Sequence, residues 1–181
     1  MTHPVTLDSI VFSRGELSDA EELAAFAART FSETFAADND PGDLEEHLSN
    51  NYGVEQQSSE LADPDVVTVL ARSDIGLMGY AQIRRNAPPD CVTVEDSVEL
   101  HRFYLDLRMQ GSGLAALLMQ EVRKVAGEFG AGHLWLGVWE RNPRGIAFYK
   151  KVGFEDVGSK IYMVGPDAQK DRVLVASVEP F

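Results

Sequence analysis

Residues 134–154, LWLGVWERNPRGIAFYKKVGF, constrain the fold more tightly than any other stretch of the chain. Leu134 to Trp139 has the branched and aromatic content of a buried strand. The chain leaves the sheet at Glu140-Arg141. Asn142 is a favoured N-cap residue, and Pro143 falls at the first helical position, where a missing N–H costs nothing. Ile146, Tyr149 and Lys150 share one face of the short helix, and Gly153 closes it before a strand starts at Phe154. The corner brings an amide, Asn142, and a phenol, Tyr149, to the exit of a strand, the edge where open α/β sheets bind ligands.

The rest of the chain extends this pattern. Ser9 to Arg14 reads as a first strand, and Ser18 with Glu21 as a capping box opening a helix with Leu23, Phe26, Ala27, Phe31 and Phe35 near 3.6-residue spacing. Asp38 to Gly42 breaks it. Leu44 to Asn51 and Val54 to Leu61 are two further helices, the second ending before Asp63-Pro64. Val66 to Ala71 and Leu77 to Arg84 form a hairpin about Ser73-Asp74-Ile75-Gly76, and Ser97 to Leu105 is a fourth strand. Leu114 to Phe129 is a long helix with one apolar face. His133 to Trp139, Phe154 to Ser159 and Arg172 to Val178 complete the strands. No repeat or linker interrupts them, so residues 1–181 are expected to form one α/β domain with a mixed, mainly antiparallel sheet of about seven strands.

Charge narrows the partners. A formal net charge of −13 argues against nucleic acid and anionic membranes. No stretch is long and apolar enough to span a bilayer and no basic, apolar leader is seen, so a soluble cytoplasmic protein is expected. The one cysteine, Cys91, excludes an internal disulfide, and the four histidines lack metal-ligand spacing, so no metal is expected. Acids crowd the first hundred residues, among them Asp38, Asp40, Asp43, Glu45 and Glu46, whereas Arg108, Arg141, Arg144, Lys150 and Lys151 lie later. That asymmetry suits an anionic cofactor on one side and a cation on the other; a solvated acidic surface is the plainer explanation of the acids.

Arg108-Met109-Gln110-Gly111-Ser112-Gly113 joins the fourth strand to the long helix. Glycines let backbone approach a ligand, and the helix start offers unpaired N–H groups, the physical basis of a phosphate cradle. Steric need alone also explains such turns. No Gly-Lys-Ser/Thr follows, so this is not a Walker loop, and the hairpins before it do not suit a dinucleotide fold.

Together, Arg108-x-x-Gly111-x-Gly113 and Asn142-x-x-Gly145-Ile146-x-Phe148-Tyr149-x-Lys151-x-Gly153-Phe154 resemble the two motifs of the GNAT superfamily of N-acetyltransferases, in order and separation. Thr30 to Phe35, Gly79-Tyr80-Ala81, Glu99-Leu100 and Leu134 to Trp139 are also similar to bacterial spermidine/spermine N-acetyltransferases. The resemblance implies a GNAT fold with strands four and five splayed around the pantetheine arm of acetyl-CoA. Phe103, Tyr104 and Leu105 would pair with that arm. Backbone N–H groups of Gln110, Gly111, Ser112, Gly113, Leu114 and Ala115 would hold the pyrophosphate, with Arg108 adding charge. Asn142 would hydrogen-bond the arm, and Tyr149 would protonate the departing thiolate. Two departures stand out: only Asp106-Leu107 separate the strand from Arg108, about two residues fewer than expected, and Gly145 replaces a usual alanine.

Amine acetylation needs a neutral amine, an acid for the thiolate and a donor for the oxyanion. Glu99 is the first candidate for the base; His101, on the same face under ideal alternation, and water are the others. Phe31 and Phe35 either line an acceptor pocket or pack the core, and Trp135 and Trp139 point to one side as core residues. The acceptor expected is the primary amine of a small molecule, with a polyamine in view. A protein lysine or N-terminal amine and a non-catalytic acyl-CoA sensor are the alternatives, and a homodimer through Val173-Leu174-Val175 is considered.

Overall fold

A computed structural model, describing residues 5–180, places seven strands in one sheet: β1 (Val11–Arg14), β2 (Val66–Ser73), β3 (Gly76–Arg84), β4 (Ser97–Leu105), β5 (His133–Trp139), β6 (Glu155–Val164) and β7 (Asp167–Ser177). Their order is β1-β2-β3-β4-β5-β7-β6. Every neighbouring pair is antiparallel except β4 and β5, which run parallel. The helices are α1 (Ala20–Phe35), α2 (Pro41–Tyr52), α3 (Val54–Ala62), α4 (Leu114–Glu128) and α5 (Pro143–Lys151). The mixed, mainly antiparallel α/β architecture expected from the sequence is the one observed.

Two helical layers cover the sheet. Leu118, Met119, Val122, Val125 and Ala126 of α4 pack on Leu134, Leu136 and Val138 of β5 and on Ile83, Val98 and Leu100. On the opposite face Leu23, Phe26, Ala27 and Phe31 of α1 pack on Leu70, Leu77 and Tyr80. Each fully buried aliphatic side chain contributes about 1.5–3 kcal/mol, so these two stripes fix which face each strand residue presents. Arg123, buried in α4, donates to the carbonyls of Val152 and Ser177 and locks the helix to the second half of the sheet.

Several boundaries differ from the sequence reading. Ser18 does not cap α1. Leu17–Asp19 form a 3-10 turn closed by Glu16 and Asp19: the Glu16 N–H donates to Asp19 Oδ2 at 2.8 Å, while Arg72 of β2 holds Oδ1 at 2.7 Å. This double hold delays the helix to Ala20. α2 starts earlier, at Pro41, because Asp40 caps it, accepting from the N–H groups of Gly42 and Asp43. β6 and β7 extend to a turn containing Gly165, whose φ of +56° favours glycine. β7 also lies between β5 and β6 with Val173 and Leu174 fully buried, so the interface considered at Val173-Leu174-Val175 is interior sheet. No helix of the described residues is long and apolar enough to cross a membrane.

Candidate active site

β4 and β5 pair only at Ser97 with His133, Val98 with Leu134 and Glu99 with Trp135, then diverge. Beyond that vertex β4 continues to pair with β3 through Phe103, Tyr104 and Leu105, while the edge facing β5 opens into a cleft. An exposed backbone edge is a template for an extended ligand.

A β-bulge shapes β4. Arg102 pairs with Gln82 and Leu100 with Ile83, so His101 is the extra residue. Regular alternation therefore fails at this point, and Glu99 and His101 do not occupy equivalent positions. Leu100 and Phe103 face α4, with Phe103 stacked at 5.5 Å on Phe148. Arg102 and Tyr104 face α1–α3, over Tyr52 at 4.7 Å and against Tyr80 at 5.9 Å. His101 opens instead into a polar cavity of about 330 Å³ that Glu60, Gln82 and Arg84 also line.

The glycine turn stands at the mouth of the cleft. Gly111 and Gly113 have φ of +76° and +97°, a region that strains residues with a Cβ. Gly113 caps α4, whose first-turn N–H groups point outward as a partial positive charge. Ser112 Oγ accepts from Leu114 N–H at 3.2 Å and donates to the Met109 carbonyl at 2.7 Å, holding the turn closed. Arg108 is committed elsewhere. It sits in the 3-10 turn Leu107–Met109 and grips the Asp106 carboxylate at 2.7 and 2.9 Å. Asp106 also accepts from Arg29, and hydrogen bonding to Arg108 holds its carboxyl well below the usual range. Arg144, at the start of α5, reaches across instead and donates to Gln110 Oε1 at 2.6 Å. Counted from Gln110, the loop regains the two residues it seems to lack when counted from Arg108.

The other wall is the strand–helix corner of residues 134–154. Asn142 caps α5 by accepting from Gly145 N–H at 2.9 Å. A Cβ on residue 145 would lie 2.8 Å from Asn142 Nδ2, so glycine leaves room for the amide to fold over the helix start. Tyr149 lies among Phe103, Phe148 and Phe154 at ring separations of 5.4–6.2 Å. Burial raises its pKa above that of an ordinary phenol, so the hydroxyl stays protonated at neutral pH.

Across the sheet, Glu99 is buried at the vertex and heavily engaged. Its Oε2 accepts from Arg84 Nε at 2.5 Å and Asn86 Nδ2 at 2.8 Å; Lys160 and His101 lie 3.6 and 3.9 Å from Oε1. Burial alone would raise its pKa, but nearby His101 and the hydrogen bond from Arg84 outweigh it and hold the carboxyl far below the usual range. A carboxylate so stabilised accepts protons poorly near neutrality, which opposes the base role expected from sequence. Burial also lowers the pKa of His101, against the opposing pull of the nearby Glu99 carboxylate.

The acceptor-side aromatics divide. Phe31 is core, stacked at 4.9 Å on His47 and 5.1 Å from Tyr52. Phe35 is half-buried and meets the edge of half-buried Trp139 at 6.0 Å; Trp135 is buried. Asp38, Asp40, Glu45 and Glu46 are exposed. Arg144 enters the sequence reading only as one of the later basic residues, and Lys160, Tyr162 and Asp171 are absent from it. Only Asp171 has a sequence signal: it alternates with Val173 and Val175, which pack with Trp135, but starting the strand at Arg172 hides it.

Comparison with known proteins fits this geometry. The family model described as Acetyltransferase (GNAT) family matches residues 24–154. An uncharacterised N-acetyltransferase of Mycobacterium tuberculosis is 35% identical over 159 residues, covering 88% of this chain and 97% of the relative. Streptothricin acetyltransferase of Streptomyces lavendulae is 34% identical over 129 residues, covering 68% and 63% respectively. Among solved structures, the PaiA N-acetyltransferase of Thermoplasma acidophilum in complex with coenzyme A has a similar fold, with TM-score 0.76 at 21% identity, covering 93% of this chain and 99% of that one.

Proposed function

The chain belongs to the acetyltransferase (GNAT) family, and from that premise we propose that it moves the acetyl group of acetyl-CoA to the primary amine of a small molecule by direct attack in a ternary complex. The divergence of β4 from β5 after Glu99 and Trp135 is the observation that carries this reading. Phe103, Tyr104 and Leu105 offer the backbone edge on which the pantetheine arm lies as a pseudo-strand. Of the N–H groups along Gln110, Gly111, Ser112, Gly113, Leu114 and Ala115, those of Gln110, Ser112 and Leu114 are held by the Leu107 carbonyl, the Met109 carbonyl and Ser112 Oγ, so Gly111, Gly113 and Ala115 offer theirs to the pyrophosphate, with Arg144 as the nearby cation. Asn142 hydrogen-bonds the arm. Tyr149, kept protonated by burial, gives its proton to the departing thiolate.

The resemblance to streptothricin acetyltransferase, whose name specifies a small-molecule acceptor, supports a small-molecule amine. A polyamine is the finer choice, supported by the acidic run from Asp38 to Glu46: Asn39 accepts from Gln169 of β7 at 2.7 Å, so the run borders the acceptor face. Likeness to the N-alpha-acetyltransferase RimI of Mycobacterium tuberculosis, 36% over 118 residues, favours the second reading, an N-terminal amine. Thiol release from acetyl-CoA, measured across polyamines, aminated antibiotics and short peptides, separates these. Turnover confined to peptides would overturn the small-molecule acceptor.

The cofactor assignment has its own test. Arg144→Ala is expected to raise KM for acetyl-CoA by roughly 3- to 10-fold, as loss of one charge-assisted contact does, with kcat within about twofold. Arg108→Ala should leave KM within about twofold, because its charge is spent on Asp106. The reverse pattern in steady-state kinetics would place the anion site on Arg108.

A further inference from the structure

We propose that Asp171 of β7 is the proton acceptor for the incoming amine, an assignment that rests on the acetyltransferase reading above. Asp171 pairs in register with Trp139 of β5 and Lys160 of β6 and is 6% exposed. Its alternation partners Val173 and Val175 pack with Trp135, so its side chain lies on the α1–α2 face of the sheet. A Cβ on Gly137 would lie 2.8 Å from Asp171 Oδ2, so the carboxylate hangs directly over that glycine. Gly137 stands two residues beyond Trp135, the last β5 residue paired with β4, and therefore about 7 Å past the vertex along the open edge of the cleft. The carboxylate thus overlooks the cleft from the side opposite Tyr149, whose helix packs on the α4 face.

The bonding of the acids separates their roles. Glu99 is saturated by Arg84 and Asn86, with Lys160 close by. Glu60 is paired with Arg102. Among the described residues, no side chain or backbone N–H hydrogen-bonds the Asp171 carboxylate, and no cation lies within 4 Å of it. Lys160 is the nearest positive charge, its chain end also over Gly137 and its ammonium above the Trp135 ring at 5.0 Å. A buried carboxylate with free lone pairs, at the open part of the cleft, is placed to bind an ammonium group and take its proton.

The step balances. The substrate ammonium gives one proton to Asp171, and the freed nitrogen lone pair attacks the thioester carbonyl carbon. The C–N bond forms, the C–S bond breaks, and the thiolate takes the Tyr149 proton. The nitrogen's second proton restores Tyr149, and Asp171 releases its own to solvent. An ammonium and acetyl-CoA become an N-acetyl amine, free CoA and one proton.

Burial pushes the Asp171 carboxyl up to about 6, with Lys160 opposing. It is therefore ionised at neutral pH and still basic enough to accept a proton. The charged group acting on it is Lys160 of β6, which lies 3.6 Å from Glu99 of β4. Asp171 in turn acts on Tyr162 of β6, which hydrogen-bonds His47 of α2 at 3.2 Å and also feels Tyr52, Arg102 and Arg84.

The experiment compares kcat/KM from pH 5 to 9 in the parent, Asp171→Asn and Asp171→Glu, using the best amine of the panel and, separately, hydroxylamine, which is neutral across most of that range. Acetyl-CoA affinity is measured by calorimetry on each. Asp171→Asn is expected to lose about 100-fold or more with the amine, to lose the parent's acid limb near pH 6, to recover with hydroxylamine and to bind acetyl-CoA like the parent. A rate within about threefold and an unmoved limb would overturn the assignment. Should Asp171→Asn not fold, Asp171→Glu and Gly137→Ala decide: both are expected to slow turnover and shift the acid limb, and parental rates with an unmoved limb in both would overturn it. A parent that binds acetyl-CoA but acetylates no amine removes the acetyltransferase reading itself, and this assignment with it.

Discussion

Tyr149→Phe is expected to lower kcat by about 10²- to 10³-fold while moving the acetyl-CoA dissociation constant less than about twofold. The ring remains, so its packing against Phe103, Phe148 and Phe154 survives and the wall of the cleft keeps its shape. Only the hydroxyl is lost. A thiolate then leaves without a proton into an apolar wall, where unsolvated charge is costly. Steady-state kinetics together with calorimetric titration of acetyl-CoA give both numbers. A parental kcat would remove Tyr149 from the proton transfer and leave it as an aromatic of the core.

Glu99→Gln is expected to destabilise the fold by about 1–3 kcal/mol, the loss of charge-assisted hydrogen bonds to a buried carboxylate whose cationic partners stay partly solvated. The Glu99 side chain is 4% exposed, and its removal leaves Arg84 and Lys160 facing a neutral amide at the vertex of the splay. Because nearby His101 and the hydrogen bond from Arg84 depress the folded pKa of Glu99, its contribution is full above the unfolded carboxyl range near pH 4–5. It is lost progressively as pH falls below that range. Urea melts between pH 3 and 7 should show the parent losing stability toward acid more steeply than Glu99→Gln. Asp171 has the opposite sign: its pKa is raised to about 6 by burial, so its ionisation withdraws stability as pH rises from about 4 to 6. Parallel melts of the two proteins would contradict the ion-pair role given to Glu99.

The strand–helix corner was legible because each of its signals is local. Asn142, Pro143 and Gly153 act within a turn of their own positions, and the structure uses Asn142 and Pro143 as cap and first helical residue. The glycine turn was legible for the same reason, since positive φ at Gly111 and Gly113 is a property of single residues. Its charge was not. Arg108 is next to the glycines in sequence, but Asp106, two residues earlier, captures it, while Arg144 arrives from 34 residues away. The β4 bulge was equally hidden, because one extra residue at His101 depends on pairing with β3, and everything beyond it changes face. The edge strand β6 was cut short because Ile161 and Met163 are exposed, which breaks the pattern that marks buried strands. Asp171 depends on three strands meeting over Gly137, a coincidence no local pattern records.

In the proposed reaction the cleft between β4 and β5 holds acetyl-CoA and hands its acetyl group to an amine. Mass spectrometry of an amine and peptide panel incubated with acetyl-CoA and the protein, run beside Tyr149→Phe, tests it most directly. An N-acetylated small-molecule amine is expected, formed in step with free CoA, with almost none from Tyr149→Phe. Tight acetyl-CoA binding with no acetylated amine or peptide in either sample would contradict it.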